Sequence, residues 1–248
     1  MRLKQPRGRA GGLGGRAIYG RQPALRKREP KGSALDSFPP VLAILVVHDG
    51  VAWLPQVLDS LERQTYPALH TIAVDNGSTD GSRSLLLMRL GEERVLVADR
   101  DLGFPAAVSM SLDSAVAAGT EAGWLLFVHD DLLLEPDAVE CLVAHATADP
   151  RLVAVGPKLL QHDNPRLLQQ VGMSIDLTGR SDSGLEPDEL DQGQRDRPRP
   201  VLYVSTAGML VRRDVFDSLG RFDRRYHVFR DDLDLCWRIW LAGHDVEV

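Results

Sequence analysis

The sequence predicts an α/β fold in which a mainly parallel sheet is covered by helices on both faces. Short apolar runs rich in β-branched residues alternate along residues 41–148 with segments whose apolar residues recur at helical spacing. This alternation is typical of parallel sheets, in which each crossover helix returns the chain to the same edge. The length of 248 residues is enough for one large α/β domain or two small ones.

Four strands are predicted in the first part of the chain. Residues Val41–Val47 form a continuous apolar run after Pro39-Pro40, as expected for a strand buried on both faces. Residues 75–81 combine Asp, Asn, Gly and Ser in a strong turn signal, and Ser82 is a candidate helix N-cap. Strands are therefore expected at residues 41–47, 69–74, 94–98 and 124–128, with helices at 51–64, 82–90, 106–118 and 136–148.

The regular alternation ends after residue 150. Short strands are expected at residues 153–157, 201–205 and 209–211, with a polar loop at 176–200 that is rich in Asp, Gly, Arg and Pro. A loop of this length is usually functional or mobile. A short helix at 213–220 and a last helix from Asp231 to about Gly243 follow, and the residues up to Val248 are typical of the start of a strand.

Acidic residues follow the predicted strands at their carboxyl ends. Unpaired carboxylates are rarely buried, so they must face water, a cation or a ligand. Carboxylate oxygens suit Mg²⁺ and Mn²⁺, and ligands of open α/β sheets bind at this edge. Favourable charge at helix N-termini explains one or two such acids, but not a set drawn from four strands. The sequence therefore predicts a ligand crevice that gathers His48, Asp49, Asp75, Asp101, Asp130 and Asp131.

Two further acids, Asp231 and Asp232, lie in the first turn of the last predicted helix. Compensation of the helix dipole is one explanation for their position. Beside a cation crevice, a carboxylate on a rigid helix end is also a candidate general base. Both explanations stay open from the residues alone.

Charge is unevenly distributed along the chain. The net charge is −6, yet residues 1–32 contain ten Lys or Arg and one acid, so they carry about +9 and the remainder −15. This Gly-rich segment lacks periodicity, and residues 1–36 are expected to form a disordered basic tail. Contact with anionic lipid or nucleic acid, simple solvation and a misassigned start codon all remain open. The acidic remainder argues against a nucleic-acid-binding domain.

The composition indicates a reducing compartment, and a cytoplasmic location is expected. The two cysteines, Cys141 and Cys236, lie in apolar helical patterns and show neither metal-ligand spacing nor a disulfide framework. No apolar run approaches the eighteen residues of a membrane span.

Several motifs occur in an order that matches a known family. They are Leu54-Pro55, residues 60–67, 74–81, 102–104, 129–131, 134–138, 208–213, 220–223 and 231–238. On these motifs the chain, from about Val41 onward, resembles the family 2 glycosyltransferases, which have the GT-A fold. The segments around His129 and Val204–Gly208 also resemble large actinobacterial membrane glycosyltransferases.

The resemblance implies a mixed, mainly parallel GT-A sheet and transfer, with inversion, of a sugar from a nucleotide-diphosphate donor to an acceptor hydroxyl. It also implies a divalent cation, Mn²⁺ or Mg²⁺, which neutralises the leaving diphosphate. Matched position by position, the implied residues are metal-binding Asp131, Asp130 and His129, nucleotide-binding His48, Asp49, Asp75, Asp101 and Asp130, catalytic Asp232 and Asp231, and Gly208 in the loop between donor and acceptor.

Some positions depart from the family pattern. His129 replaces an acid, and imidazole is a poorer ligand for Mg²⁺ although it serves Mn²⁺. Asp101 stands where Asn is commoner, and Asp231 where Glu is commoner. Family members usually supply a His after the last helix, so the C-terminal end of the domain, and any membrane spans beyond it, are expected to be missing.

The implied domain covers residues 37–248, with a nucleotide-binding half at about 37–135 and an acceptor half at about 136–248. The expected partners are a nucleotide-diphosphate sugar and a glycan or lipid-linked acceptor of the cell wall or cell surface, and no nucleic acid. The basic tail or missing downstream segments would associate with the cytoplasmic face of a membrane.

Two other functions remain as alternatives. A degenerate relative would bind a nucleotide or glycan without turnover. A nucleotidyltransferase would also present acids at strand ends, but its glycine-rich phosphate loop is missing, since Val47-His48-Asp49-Gly50 has one glycine.

Overall fold

The computed structural model describes residues 38–227 and 229–248, and the backbone alone of residues 15–18. Its strands are β1 (Gly15–Ile18), β2 (Val41–Val47), β3 (Leu69–Asn76), β4 (Val95–Ala98), β5 (Trp124–His129), β6 (Leu132–Leu134), β7 (Leu152–Val155), β8 (Lys158–Gln161), β9 (Leu168–Gln170), β10 (Ser174–Ile175), β11 (Ser181–Asp182), β12 (Leu210–Arg212) and β13 (Asp245–Glu247). Its α-helices are α1 (Leu54–Glu62), α2 (Ser82–Leu90), α3 (Phe104–Ala117), α4 (Ala138–Ala146), α5 (Arg213–Ser218) and α6 (Asp231–Leu241).

A seven-stranded sheet forms the centre of the protein, in the order β13-β7-β12-β5-β2-β3-β4. Strand β12 is antiparallel to both of its neighbours, and the other pairs are parallel. The predicted mixed, mainly parallel sheet is therefore confirmed. Strand β13 also confirms the strand expected near the end of the chain.

Helices cover both faces of this sheet because the side chains of the central strands alternate between two cores. On one face Leu45 of β2 packs in a cluster with Leu58 of α1, and on the other face Ile44 packs in a cluster with Leu112 of α3 and Ile239 of α6. Every residue of β2 is buried. This two-sided burial explains why the strand is a continuous apolar run instead of an alternating one.

The strand predicted at residues 201–205 is wrong. Tyr203 forms only an isolated bridge with Met173, and the N–H of Val201 instead donates to the carbonyl of Val246. The segment changes its pairing partner within two residues, so no ladder develops. Its residues are nevertheless mostly buried, which is why their apolar run resembles a strand.

The polar loop predicted at 176–200 is confirmed over most of its length, although β11 within it pairs with β10 in a short hairpin. A second, four-stranded sheet has the order β6-β1-β8-β9. Its strand β1 lies in the segment 1–36 for which a disordered tail is predicted, and the rest of that segment lies outside the described residues. The helices that the structure describes include none with the length and apolar character of a membrane span.

Candidate active site

A cavity of about 540 Å³ opens where the central parallel strands end and where α6 begins. Its lining includes six residues predicted from the sequence, namely His48, Asp101, His129, Asp130, Asp231 and Asp232. The other four predicted residues do not line it; they are Asp49, Asp75, Asp131 and Gly208. The cavity therefore brings two of the predicted donor acids, Asp101 and Asp130, together with the two predicted catalytic acids.

His48, directly after β2, forms hydrogen bonds that connect the end of this strand to the ends of both neighbouring strands. Its backbone N–H donates to Oδ2 of Asp130 at 2.9 Å, and its Nδ1 lies 2.9 Å from the carbonyl oxygen of Asn76. Gly50 lies close behind, since a Cβ atom there would come within 2.7 Å of Cγ of Asp130. The turn after β2 is thus shaped around the Asp130 carboxylate.

Asp49 and Asp75 hold the turn that follows β3. Oδ1 of Asp49 accepts a hydrogen bond from the N–H of Thr79 at 2.6 Å, and Oδ1 of Asp75 accepts one from the N–H of Ser78 at 3.2 Å. Asp75 is buried, whereas Asp49 is exposed. Both carboxylates shape the rim of the site, and their role in nucleotide binding stays a prediction.

Asp101 links the loop after β4 to the segment before α6. Its Oδ1 accepts hydrogen bonds from Nδ2 of Asn76 at 2.8 Å and from the N–H of Gly103 at 2.7 Å, and its Oδ2 lies 3.3 Å from Nε2 of His227. Burial alone would raise the pKa of Asp101, but the bond from Gly103 and the nearby His227 and His48 lower it. Asp101 is therefore held as a carboxylate at one side of the cavity.

Asp130 and His129, at the end of β5, are shifted toward their neutral forms. Burial raises the pKa of Asp130 to about 6; the N–H of His48 opposes the shift, and the charge of Asp131 adds to it. Burial also lowers the pKa of His129, against the effect of Asp131, and its Nε2 lies 2.9 Å from Oγ1 of Thr206. The charge of Asp131 thus raises the pKa of Asp130, and the nearby His48 only partly offsets this effect.

The donor set suits a divalent cation that shares its ligands with a diphosphate. No group of three His, Cys, Asp or Glu side chains that could bind a metal occurs within residues 38–227 and 229–248. Mg²⁺ is commonly held by one or two carboxylates plus substrate phosphates, and such a site needs no third side chain. Asp130 lines the cavity and could supply one such carboxylate, whereas Asp131 follows it in the chain and does not line the cavity. His129 would have to release Thr206 before its Nε2 could bind a metal.

The first turn of α6 presents two acids to the cavity. Phe229 and Arg230, just before it, adopt left-handed backbone angles, with φ of 69° and 72°, so the chain turns sharply into the helix. Burial raises the pKa of Asp231 to about 6, with a further contribution from the charge of Asp232. Burial also raises the pKa of Asp232, against a hydrogen bond from the N–H of Leu233 at 2.7 Å. A carboxylate with a raised pKa accepts protons readily, which suits a general base.

Close packing against Pro157 and a left-handed backbone conformation favour glycine at position 208. Its φ is +92°, and a Cβ atom there would lie 2.7 Å from Cγ of Pro157. Its N–H donates to the carbonyl of Phe127 at 2.9 Å, which positions the loop before β12. The residues of this loop that reach the cavity are Ser205 and Thr206.

Several lining residues were not singled out from the sequence as site residues. Asn76 lies within the motif of residues 74–81, so the sequence did indicate that it could belong to the site. Thr206, a buried residue with a hydroxyl in an apolar segment, gave a weaker indication. The sequence carries no comparable signal for five other lining residues, which are Gln170, Met173, Ser181, Tyr203 and His227.

Comparison with known proteins identifies the family of this chain. The Glycosyl transferase family 2 model matches residues 43–220, which is most of the chain. Over 215 residues the chain is 29% identical to the N-acetylglucosaminyl-diphospho-decaprenol L-rhamnosyltransferase of Mycobacterium tuberculosis, and the match covers 77% of this chain and 67% of that enzyme.

Solved structures show the same fold. The mannosyltransferase PcManGT from Pyrobaculum calidifontis, in complex with GDP-Man and Mn²⁺, has a TM-score of 0.60 and 17% identity; the match covers 84% of this chain and 54% of PcManGT. GalNAc-T7 with UDP, GalNAc and Mn²⁺ has a TM-score of 0.64 and 15% identity, covering 86% of this chain and 42% of that one. The chain thus spans about half the length of these structures. It belongs to glycosyltransferase family 2, and it is a glycosyltransferase domain with the GT-A fold.

Proposed function

We propose that this domain transfers a sugar from a nucleotide-diphosphate donor to a hydroxyl of a glycan or lipid-linked acceptor, with inversion at the anomeric carbon. The observation that carries the proposal is the meeting of Asp130 and Asp232 in one cavity. One acid lies at the end of a central strand and the other at the start of α6. A diphosphate at the first and an acceptor hydroxyl at the second would place the anomeric carbon between them.

In the proposed reaction the two acids have different roles. Asp232 accepts the proton of the acceptor hydroxyl as its oxygen attacks the anomeric carbon, and the bond from that carbon to the diphosphate breaks on the opposite side. Asp131 and Asp130 would hold a divalent cation, Mn²⁺ or Mg²⁺, which would supply positive charge to offset that of the departing diphosphate. His48, Asp49, Asp75 and Asp101 border the nucleotide.

The printed names of similar proteins support this choice of substrates. Solved relatives hold GDP-Man or UDP together with Mn²⁺, and the mycobacterial relative is named for a diphospho-decaprenol acceptor. We extend this to a role in cell-wall or surface glycan synthesis at the cytoplasmic face of a membrane.

Cation-dependent nucleotide binding tests the first half of the proposal. Thermal unfolding would be followed with UDP, GDP or dTDP, each with and without Mn²⁺. We expect one nucleotide to stabilise the protein only with Mn²⁺, by about 3 kcal/mol at a hundredfold excess over its Kd. Asp131→Ala should abolish the effect, whereas Asp137→Ala, at an exposed acid six residues away, should retain it. A wild-type protein that ignores every nucleotide with Mn²⁺ contradicts the proposal.

Turnover separates an enzyme from a binding domain. Release of the nucleoside diphosphate from UDP-, GDP- and dTDP-sugars would be measured with the wild type and with Asp232→Asn. We expect the variant to bind the nucleotide normally and to lose about a hundredfold or more in rate. Normal nucleotide binding without any turnover by the wild type would favour the non-catalytic alternative.

A further inference from the structure

We propose that His227 is a positioning residue for this site. Its imidazole holds the carboxylate of Asp101 on the donor side of the cavity, and its carbonyl holds the start of α3. Together these two contacts fix the residues that lead into α6 against the donor side. This inference rests on the proposed glycosyl transfer and adds to it a residue for which the sequence carries no signal.

The first observation is the contact between the ring of His227 and the carboxylate of Asp101. Both residues line the cavity, and Nε2 of His227 lies 3.3 Å from Oδ2 of Asp101. The other oxygen of this carboxylate, Oδ1, accepts hydrogen bonds from Nδ2 of Asn76 and from the N–H of Gly103. A carboxylate that is held through both oxygens cannot rotate its plane freely. His227 therefore fixes the orientation in which Asp101 faces the cavity.

The second observation is a backbone contact at the same residue. The carbonyl of His227 accepts a hydrogen bond of 3.3 Å from the N–H of Phe104, the first residue of α3. The first N–H groups of a helix have no partner within that helix, so this carbonyl caps α3. The ring of Phe104 lies 5.2 Å from the ring of His129, at the end of β5. Through Phe104, His227 is thus connected to the end of a central strand.

The third observation is the close approach that these contacts require. Gly103 has a φ of +79°, and a Cβ atom there would lie 2.6 Å from both Nδ1 and the carbonyl oxygen of His227. Cβ atoms essentially do not pack at such distances, so glycine is what allows the loop after β4 to lie directly against His227. A loose contact between the two segments would tolerate a larger residue at position 103.

The place of His227 in the chain extends these contacts to the catalytic side. His227 lies four residues before Asp231, which begins α6. On the other side of His227 in the chain, Phe222 is buried, and its ring lies 5.8 Å from the ring of Phe104. The residues that lead into α6 are therefore held at both ends, and His227 ties them to Asp101 between these ends. The distance from the donor acid to the acids of α6 depends on this contact.

The contact is suited to positioning because it contributes little to the stability of the fold. The side chains of His227 and Asp101 are 59% and 37% exposed. Exposed pairs add little to the free energy of unfolding, since water and salt screen them. Substitutions of His227 should therefore leave the protein folded, with a Tm lowered by no more than about 4 °C.

Amide hydrogen exchange of the full chain, measured without nucleotide, tests the effect on α6. The N–H of Leu233 donates to Oδ1 of Asp232, so its exchange reports on the first turn of this helix. We expect His227→Ala to speed exchange in residues 229–236 about tenfold and to leave β2 unchanged. Arg224→Ala, at an exposed residue of the same segment that does not line the cavity, is the matched control and should behave as the wild type.

A conservative variant separates the contact from the mere presence of a large side chain. In His227→Gln the side-chain amide can still donate a hydrogen bond to Asp101, so most of the protection in residues 229–236 should return. His227→Gln is also the variant that keeps the test decisive if His227→Ala folds poorly.

Nucleotide affinity tests the donor side. UDP, GDP or dTDP, whichever stabilises the wild type, would be titrated calorimetrically in the presence of Mn²⁺. We expect about fivefold weaker binding for His227→Ala and less than a twofold change for His227→Gln. In an Asp101→Ala background, His227→Ala should cost less than about twofold more, since the partner of the contact is already missing.

Three results would overturn the inference. They are unchanged exchange in residues 229–236 of His227→Ala, equal effects of His227→Gln and His227→Ala, and full additivity of His227→Ala with Asp101→Ala. Each of these results would leave the proposed function standing if the wild type binds nucleotide with Mn²⁺. A wild type that binds no nucleotide would instead remove the proposed function, and with it this inference.

Discussion

Gly50 shows how one missing side chain shapes the donor side of the site. The backbone at this residue lies so close to Asp130 that a Cβ atom would come within 2.7 Å of Cγ and 2.9 Å of Cβ of the acid. Real Cβ atoms essentially never approach so closely, so any larger residue must displace the carboxylate. Its position also depends on the N–H of His48, which comes from the same turn.

Gly50→Ala should therefore weaken Mn²⁺-dependent nucleotide binding about tenfold, because Asp130 has to move. The free energy of unfolding should fall by no more than about 1–3 kcal/mol, as for other small overpacking changes. Nucleotide affinity and urea unfolding would be measured side by side. Gly123→Ala is the matched control, since its Cβ would meet nothing within 4 Å. Equal nucleotide affinity in both variants would contradict this account of the turn.

Asp231 is the residue at which function and stability conflict. Its carboxyl is neutral below the unfolded pKa of 3.8 and charged above the folded pKa of about 6, and burial makes the charged form unfavourable in the folded state. The stability it contributes is thus present at low pH and is lost as pH rises through this window. At pH 7.5 the ionisation of Asp231 lowers the free energy of unfolding by about 3 kcal/mol or less.

Asp231→Asn removes the titrating group and should make the protein more stable than the wild type at pH 7.5, by about 1–3 kcal/mol. At pH 4 the two proteins should be nearly equal, because the wild-type carboxyl is then mostly neutral. Urea unfolding at pH 4, 5, 6 and 7.5 would show the difference in free energy of unfolding between the two proteins increase with pH. A difference of the same size at every pH would show that ionisation is not its cause.

At the scale of the elements, the central strands position Asp101 and Asp130 at the cavity. The long polar segment 176–200 contributes Ser181 to another part of the cavity lining. Lys158 of β8 anchors that segment, because its ammonium lies 2.7 Å from carboxylate oxygens of both Asp191 and Asp196. Lys158 is buried, so the two ion pairs are shielded from solvent on its side. The anchor lies in the same continuous segment as β11 and Ser181.

Lys158→Met should destabilise the protein by about 1–3 kcal/mol, less than a fully buried pair because both acids are partly exposed. Amide hydrogen exchange should speed up in residues 181–196 and remain unchanged in β2. Arg197→Met, at an exposed cation of the same loop, serves as the control. Unchanged exchange in the loop would show that the ion pairs do not hold it.

At the scale of the whole molecule, charge separates into a basic N-terminal segment and an acidic domain. Residues 1–32 carry about +9, and the rest of the chain must carry −15. A basic segment is attracted to anionic lipid by about 1 kcal/mol for each Lys or Arg near the surface, and salt screens this attraction. We propose that this segment brings the domain to a membrane that holds its acceptor.

The full chain should therefore sediment with vesicles of phosphatidylserine and phosphatidylcholine, and not with phosphatidylcholine alone. Removal of residues 1–14, which contain Arg2, Lys4, Arg7 and Arg9, should lower the bound fraction at least tenfold at low salt. The bound fraction of the full chain should fall in 0.5 M NaCl. Binding that ignores both the truncation and the salt would contradict an electrostatic role.

The sequence by itself determined the fold class and the edge at which the acids gather. Strand and helix periods are local properties, and parallel crossovers bring the ends of successive strands to the same edge, so His48, Asp101 and Asp130 were predictable as neighbours. The tertiary structure alone decided which side chains face the cavity. In the folded chain the carboxylates of Asp49 and Asp75 accept hydrogen bonds from the turn after β3 and do not line the cavity. Gly208 packs against Pro157 and does not line it either.

The cavity wall that includes Met173, Ser181 and Tyr203 was equally beyond the sequence. Met173 and Tyr203 are thirty residues apart and meet through one isolated bridge, and β10 and β11 are two residues long. Elements this short have too few residues to show a hydrophobic periodicity, so no local sequence pattern predicts them. Their positions follow from long-range backbone pairing and from the ion pairs of Lys158, which only the folded chain brings together.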